Sequence, residues 1–419
     1  MDGPVEPTEV PAEPNDVPAE PNDVPGEPSH AAGEPSHAPG EPEGIVDVVY
    51  RKKSAAAPPE RLMSLDALRG FDMFWIIGGW GIVQGLAKGL NNEWFNEYIV
   101  PQTHHVPWEG FTAWDLIMPL FLFIVGVAMP FSFAKRLDRG QGKARIFCHV
   151  IWRVIVLWIL GMVAQGRLLE YDLSKLRFYS NTLQAIAAGY LIASILLLSL
   201  RPVGQFIVTV GLLLLYWALM VLVPVPGHEA GQLTPDGNLA IYIDKLILGP
   251  YQDGTTYTWI LSSMTFATTV MIGVFAGQLL RADFGKLRKT LFLLAAGTVC
   301  VYLGWAWGHV FPIIKHIWTS SMVLYAGGWS LLLLALFYFV IDVLRLRFLG
   351  FFFVVIGMNA IAVYTATHVY DFRHLADIFV RGLAPWTGDW HDFVRAVWGL
   401  TILWLILLYM YRKKTFIKI

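Results

Sequence analysis

Apolar stretches of near-constant length, separated by short polar loops, run through the chain from about Leu65 onward. A segment crossing ~30 Å of hydrocarbon needs about 20 helical residues, because lipid offers no partner for a free backbone N–H or C=O. The stretches fall at roughly 67–88, 113–134, 146–166, 181–199, 203–224, 257–280, 290–310, 317–341, 348–370 and 391–411. They predict an all-α fold, a polytopic membrane helical bundle with about ten transmembrane helices. Composition agrees. Charged residues make up 15% of the chain, against ~25% in soluble domains, and mean hydropathy is +0.52.

The first 60 residues predict something different: a disordered, low-complexity cytoplasmic tail. Glu-Pro recurs every seven residues at Glu6, Glu13, Glu20, Glu27, Glu34 and Glu41. The prolines forbid a helix, the apolar heptad positions of a coiled coil are missing, and too little apolar surface is present to fold. A signal peptide is not expected, since no apolar core follows a basic start. His30 and His37 are expected to be solvated.

Orientation follows from basic residues, which concentrate on the cytoplasmic side. With the tail inside, the inner segments hold Arg51, Lys52, Lys53 and Arg61, the cluster from Lys135 to Arg145, Arg201, Arg281 to Lys289, Arg345 and Arg347, and Arg412 to Lys418. They carry more than twice as many Lys and Arg as the outer segments. Both termini are therefore expected in the cytoplasm. Two outer loops, Gly89–Thr112 and Pro224–Tyr257, are long enough to shape a site, and the second contains a candidate interfacial helix at 238–244. No basic stripe suits a nucleic-acid backbone, so no nucleic-acid partner is expected. Cys148 and Cys300 lie in apolar runs and read as core residues rather than a disulfide or metal pair.

Ionisable groups inside spans are costly and are candidates for function. Asp66, Arg69 and Asp72 are spaced at threes on one face of the first span, which suits either an ion-pair fastening or a binding site. Thr112 and Asp115 have the spacing of a capping box at the start of the second span. Asp115 could also orient a histidine by accepting its ring N–H. His104 and His105 sit in a Trp-rich loop just ahead of that helix, and an imidazole can take and return a proton near neutral pH. A metal is not expected, because no third ligand has suitable spacing. Arg153, with His149 on its face, should point into the bundle or a water-filled cavity. Lys315 is explained by snorkelling and Asn359 by interhelical hydrogen bonding.

Several ordered stretches together resemble the heparan-α-glucosaminide N-acetyltransferase family and its bacterial relatives. They are RLMSLDALRG from Arg61 to Gly70, then His105-Val106-Pro107-Trp108-Glu109-Gly110-Phe111-Thr112-Ala113-Trp114-Asp115-Leu116 with Pro119 and Gly126. Next come Leu183-Gln184-Ala185-Ile186, Gly273-Val274-Phe275-Ala276-Gly277, Pro312 to Ser321, Gly357-Met358-Asn359, and Tyr411 to Phe416. They cover 61–419, a transmembrane acyltransferase domain on this resemblance. In the second stretch His105, not His104, takes the place of the family's proposed catalytic histidine. The chain departs from eukaryotic members in reading Phe74-Trp75-Ile76-Ile77-Gly78-Gly79-Trp80 where they carry an Asn, in having Ile314 before the Lys, and in its longer loop before His105. Their large luminal N-terminal region is expected to have no counterpart here.

The resemblance implies an acyltransferase of a bacterial inner (cytoplasmic) membrane. It would pass an acetyl group from cytoplasmic acetyl-CoA, a co-substrate, to an amino sugar or glycan acceptor outside the lipid bilayer. On it, His105 and Asp115 are the candidate catalytic pair. Asp66, Arg69, Asp72, Trp108, Lys315 and Asn359 are candidate substrate contacts. Arg136, Arg281 and Arg288 are candidate phosphate contacts, chosen by charge and side. A homodimer is an admissible assembly. Two rival readings are a transporter or flippase of a small polar or glycan substrate, which predicts inverted repeats, and an O-acyltransferase acting on a cell-wall or lipid hydroxyl.

Overall fold

A computed structural model describes residues 62–417. The tail predicted over 1–60, with His30 and His37, lies outside the described residues, as do Arg51, Lys52, Lys53, Arg61 and Lys418. The described residues fall in one compact unit. They form helices and loops, with a single β-bridge between Glu109 and Ile314.

Helix α1 begins as Met63–Phe74, passes through a π-helical turn at Trp75–Gly79 and continues as Trp80–Leu90. The next helices are α2 (Ala113–Asp138), α3 (Lys143–Ala164), α4 (Thr182–Ser199) and α5 (Pro202–Leu222). A short α6 (Leu239–Leu248) precedes α7 (Ser263–Arg281), α8 (Lys286–Gly308) and α9 (Ser320–Val343). Then come α10 (Arg347–Gly357), α11 (Ala360–Val369) and, after a helical approach from Arg373, α12 (His391–Arg412).

Among the described residues, eight of these helices or helical runs are long and apolar enough to cross a membrane, and α10 with α11, bent by 53° at their break, adds a ninth if the pair is one span. The chain is therefore a multi-pass membrane protein. α1 accounts for the remaining stretch read from the sequence. It is not in the apolar set, because Asp66, Arg69, Asp72, Gln84 and its glycines dilute its hydropathy. It nevertheless packs inside the bundle along α10. Short loops make successive long helices antiparallel neighbours. Residue 105 and the loops at 165–181, 249–262 and 309–319 thus gather at one end, opposite the start of α1 and the end of α12.

Helix starts follow local chemistry. Thr112 and Asp115 form the expected capping box, Asn181 caps α4 by accepting from the N–H groups of Leu183 and Gln184, and Asn238 caps α6 through Ile241. The helix expected near 238–244 is thus present, slightly longer. The stretch expected to start at 257 becomes helical only at Ser263. The buried Asp244 carboxylate instead accepts from Trp259 and Ile260 N–H at 2.7 and 2.9 Å and holds that segment as a turn. The stretch at 348–370 is broken at Asn359.

Two close crossings set the interior. Gly126 of α2 lies against Val270, and Gly273 of α7 against Phe123; a Cβ added at either would overlap the facing carbonyl oxygen. Gly70 and Gly357 do the same for α1 and α10. Small residues let backbones approach in this way where lipid supplies no hydrophobic drive. Gly273→Ala is expected to destabilise the bundle by about 1–3 kcal/mol. Gly211→Ala, where a Cβ meets nothing within 4 Å, should leave the melting temperature of solubilised protein unchanged or raise it.

Candidate active site

The loop from His104 to Thr112 is held at both ends. Thr112 N–H donates to Asp115 Oδ2 at 3.1 Å, and Gly110 N–H donates to Ile313 O at 2.9 Å. The second bond, beside the Glu109–Ile314 bridge, stitches this loop to the turn between α8 and α9. That turn is itself rigid. Ile314 N–H donates to Thr319 Oγ1 at 3.1 Å, Thr319 N–H donates to Ile314 O at 3.2 Å, and the Tyr216 hydroxyl donates to Ile317 O. Trp318 adopts φ 49° within it. Two loops far apart in sequence are thereby fixed to one another.

Their junction brings three titratable groups together. His105 Nδ1 lies 2.6 Å from Asp115 Oδ1. Lys315 Nζ lies 3.4 Å from the same oxygen and 3.2 Å from His105 Nδ1. Asp115 and Lys315 are buried, while the His105 side chain is 41% exposed, so only the imidazole reaches solvent. A carboxylate at 2.6 Å requires the proton on Nδ1. Nε2, which has no hydrogen-bond partner among the described residues, then carries a free lone pair. Lys315 therefore pairs with Asp115, and Asp115 with the ring: the cation fixes the carboxylate and the carboxylate fixes the tautomer.

Burial lowers the Lys315 ammonium to about 8, against the opposing pull of Asp115. Neighbouring His316 is lowered to about 4 by burial and then by the Lys315 charge, so it stays neutral and does not share the proton chemistry. It is packed between Tyr257, stacked at 4.2 Å, and Trp108 at 5.3 Å. Because Lys315 loses its proton above pH 8, the ion pair that holds the site should weaken there. Any turnover at this site is expected to fall as pH rises through about 8, and Lys315→Met should remove that limb of the pH profile. The stability sign runs the other way. With the folded pKa below the unfolded value of 10.5, the unfolded chain binds more protons between those values. This group's contribution to stability therefore rises with pH across the window.

His105 and Lys315 line a cavity of about 510 Å³ with Trp114, Arg177, Asn181 and Tyr257. Beneath it is a second cavity of about 290 Å³, lined by Arg69, Arg153, Leu157 and Gly357 and reaching Ile417 near the chain's end. Thr182 and Tyr364 line both. These two side chains lie between neighbouring volumes, the inner one toward the end of the bundle where α1 begins. Arg153 faces this interior, as its position in mid-span requires, with its guanidinium 4.7 Å over the Tyr190 ring.

The other residues singled out from the sequence are dispersed. Arg69 pairs with Asp66 at 3.5 Å and lines the inner cavity. Asp72, expected on the same face, opens instead into a separate apolar cavity. Trp108 donates its indole N–H to Leu233 O at 2.9 Å and buttresses the loop. Asn359 holds the chain end, donating to Thr415 O at 3.3 Å and accepting from Ile417 N–H at 3.0 Å. Arg281 donates to Pro130 O and Arg136 to Gln141 Oε1; Arg288 is exposed. None of these three lines either cavity. His104 turns away, its Nδ1 on Val100 O at 3.0 Å. Among the described residues no three His, Cys, Asp or Glu side chains gather as metal ligands. Sequence reading missed Arg177, Asn181 and Tyr364. Of these, only Asn181 left a signal, as a capping residue ahead of an apolar run.

Comparison with known proteins gives the same direction as the motifs. The chain is similar to heparan-alpha-glucosaminide N-acetyltransferase from Homo sapiens, 26% identical over 423 residues, which is 87% of this chain and 61% of the human protein. The Mus musculus protein of the same name is 25% identical over 429 residues, 88% of this chain and 62% of the mouse protein. The chain spans about three fifths of the length of these curated relatives. No protein-family model matches it. The resemblance to the heparan-α-glucosaminide N-acetyltransferase family, read first from ordered motifs, thus extends over most of this chain.

Proposed function

We propose that this chain is a transmembrane acetyltransferase, taking an acetyl group from acetyl-CoA on the cytoplasmic side and delivering it to an amino sugar or related glycan on the far side. The observation that carries the reading is the stacked pair of cavities with His105 at the outer one and Arg69 and Arg153 at the inner one. A coenzyme A thioester is too large and too anionic to cross hydrocarbon, and so is a glycan. Their reactive ends have to meet inside the protein. The inner cavity suits a thin arm with cationic groups beside it, and the outer cavity suits a polar ring beside aromatic and hydrogen-bonding walls. Both termini of the bundle would face the cytoplasm of a bacterial cell, in agreement with the excess of basic residues on that side.

In this reading the acceptor amine attacks the thioester carbonyl carbon, the C–S bond breaks, and His105 Nε2 takes the proton that the nitrogen loses. The imidazolium then returns it to the departing thiolate. Asp115 and Lys315 keep Nδ1 protonated throughout, so that Nε2 is the basic atom. Transfer by way of an acetylated Nε2 would place the same demands on the same groups.

The test is vectorial. Proteoliposomes with labelled acetyl-CoA on the side of the basic loops and glucosamine on the other should form labelled N-acetylglucosamine on the glucosamine side only. Protein that binds no coenzyme A in detergent, or moves glucosamine across without labelling it, would replace this reading with a transporter.

A further inference from the structure

Beside the proposed reaction path lies a third cavity, of about 290 Å³, between α1, the start of α2 and α9. Its walls are almost entirely apolar: Phe71, Trp75, Val83, Leu120 and Leu333 among them. Trp329, 40% exposed on α9, and Gln102, exposed in the outer loop, both line it, so it borders the lipid-facing surface and the outer loop alike. Trp114 and Ile117 form the wall it shares with the His105 cavity.

One polar group is out of keeping with those walls. Asp72 lines the cavity, is 1% exposed, and neither of its carboxyl oxygens has a hydrogen-bond partner among the described residues. Leaving a carboxyl unpartnered in apolar surroundings costs several kcal/mol, so the group calls for an occupant. Water fits poorly. A buried water needs two to four polar partners, and Asp72 is the buried polar side chain here with free atoms, since Thr103 is bonded on both sides and Gln102 is exposed. Thr103 Oγ1 accepts from Gln84 and donates to Val100 O, and Gln102 Oε1 accepts from Ala113 N–H. A plain acyl chain would fill the space and leave Asp72 unpaired. An ammonium would bring three donors to a site with one free acceptor group. A hydroxyl matches: it donates to one carboxyl oxygen and accepts from the other when that oxygen carries the proton. At ~30 Å³ for each water-sized unit, the cavity takes about ten heavy atoms. The π-helical turn at Trp75–Gly79 begins three residues after Asp72, and such turns inside α-helices gather at functional sites.

We propose that this cavity binds an amphiphilic alcohol, an apolar chain whose hydroxyl is held by Asp72. The site does not depend on the acetyl-transfer reading, and its test reads binding alone. Trp75, Trp114 and Trp329 line the cavity, so a bound bromine should quench their fluorescence. The full chain in lipid nanodiscs is titrated with an alcohol of about eight carbons brominated at its far end, which matches the cavity's capacity of about ten heavy atoms. Saturable quenching is expected in the native protein, with the midpoint at least about tenfold higher in Asp72→Leu. Asp72→Asn should stay within a few fold, because its amide both donates and accepts. An unchanged midpoint in Asp72→Leu overturns the proposal. So does a matching bromoalkane that saturates at the same concentration, or a bromoalkylamine that binds more tightly than the alcohol. Should the Leu variant fail to fold, the Asn variant and the three-probe comparison in the native protein decide the matter.

Discussion

Replacing His105 by Ala is expected to lower acetyl transfer by roughly 10²–10⁴-fold while leaving the melting temperature close to that of the native protein. The two halves of that expectation come from different observations. The activity loss follows from Nε2 being the free basic atom on a cavity whose nearest charged groups, Asp115 and Lys315, are buried and paired with one another. Neither can take over as base without breaking that pair. The small effect on stability follows from the exposure of the ring, since truncating it leaves the Asp115–Lys315 pair and the capping box intact. Transfer measured with reconstituted protein and labelled acetyl-CoA checks the first half, and a thermal melt checks the second. Native rates in the Ala variant would remove the imidazole from the chemistry.

Asp115→Asn is expected to fail in both respects. The amide can donate to Nδ1, which moves the ring proton to Nε2 and leaves no basic atom facing the cavity; transfer should fall by roughly 10²–10⁴-fold. The change also strips a buried ammonium of its counter-charge, and breaking a buried pair from one side costs about 3–5 kcal/mol. The double variant Asp115→Asn with Lys315→Met separates the two effects. It removes the stranded charge, so stability should largely return, while transfer stays low because the tautomer is still wrong. If the double variant were as unstable as Asp115→Asn alone, the ion pair would not be what holds this corner together.

The fold was largely legible because spanning helices have only one way to satisfy their backbone in lipid, and the apolar stretches mark them directly. Boundaries slipped where a side chain intervened. The start of α7 is delayed because Asp244 captures Trp259 and Ile260, and no local pattern at 257–262 announces a carboxylate arriving from fifteen residues away. The His105–Asp115 pair was readable for the opposite reason: His105 lies on the short loop that runs into α2, and Asp115 is the capping-box acid in that helix's first turn. Lys315 was named as well, but by periodicity it was only a snorkelling side chain. Its burial against Asp115 depends on the bridge from Glu109 to Ile314, a contact across some two hundred residues. The inner arginines illustrate the same limit. Charge and side pointed to Arg136, Arg281 and Arg288, whereas the cavity is lined by Arg69 and Arg153, whose common feature is position within a helix rather than at its end.

The lining that the two stacked cavities share, at Thr182 and Tyr364, has a consequence for the cell that houses the protein. A water column running unbroken through a bundle would carry protons down the membrane voltage, where each elementary charge releases about 2.3 kcal/mol per 100 mV. A protein that admits reactants from both faces, as proposed for this one, would have to remain an electrical insulator between turnovers. On the proposed function the two side chains common to both cavities are where that insulation would rest, and their size would answer to the energy economy of the membrane as much as to any substrate.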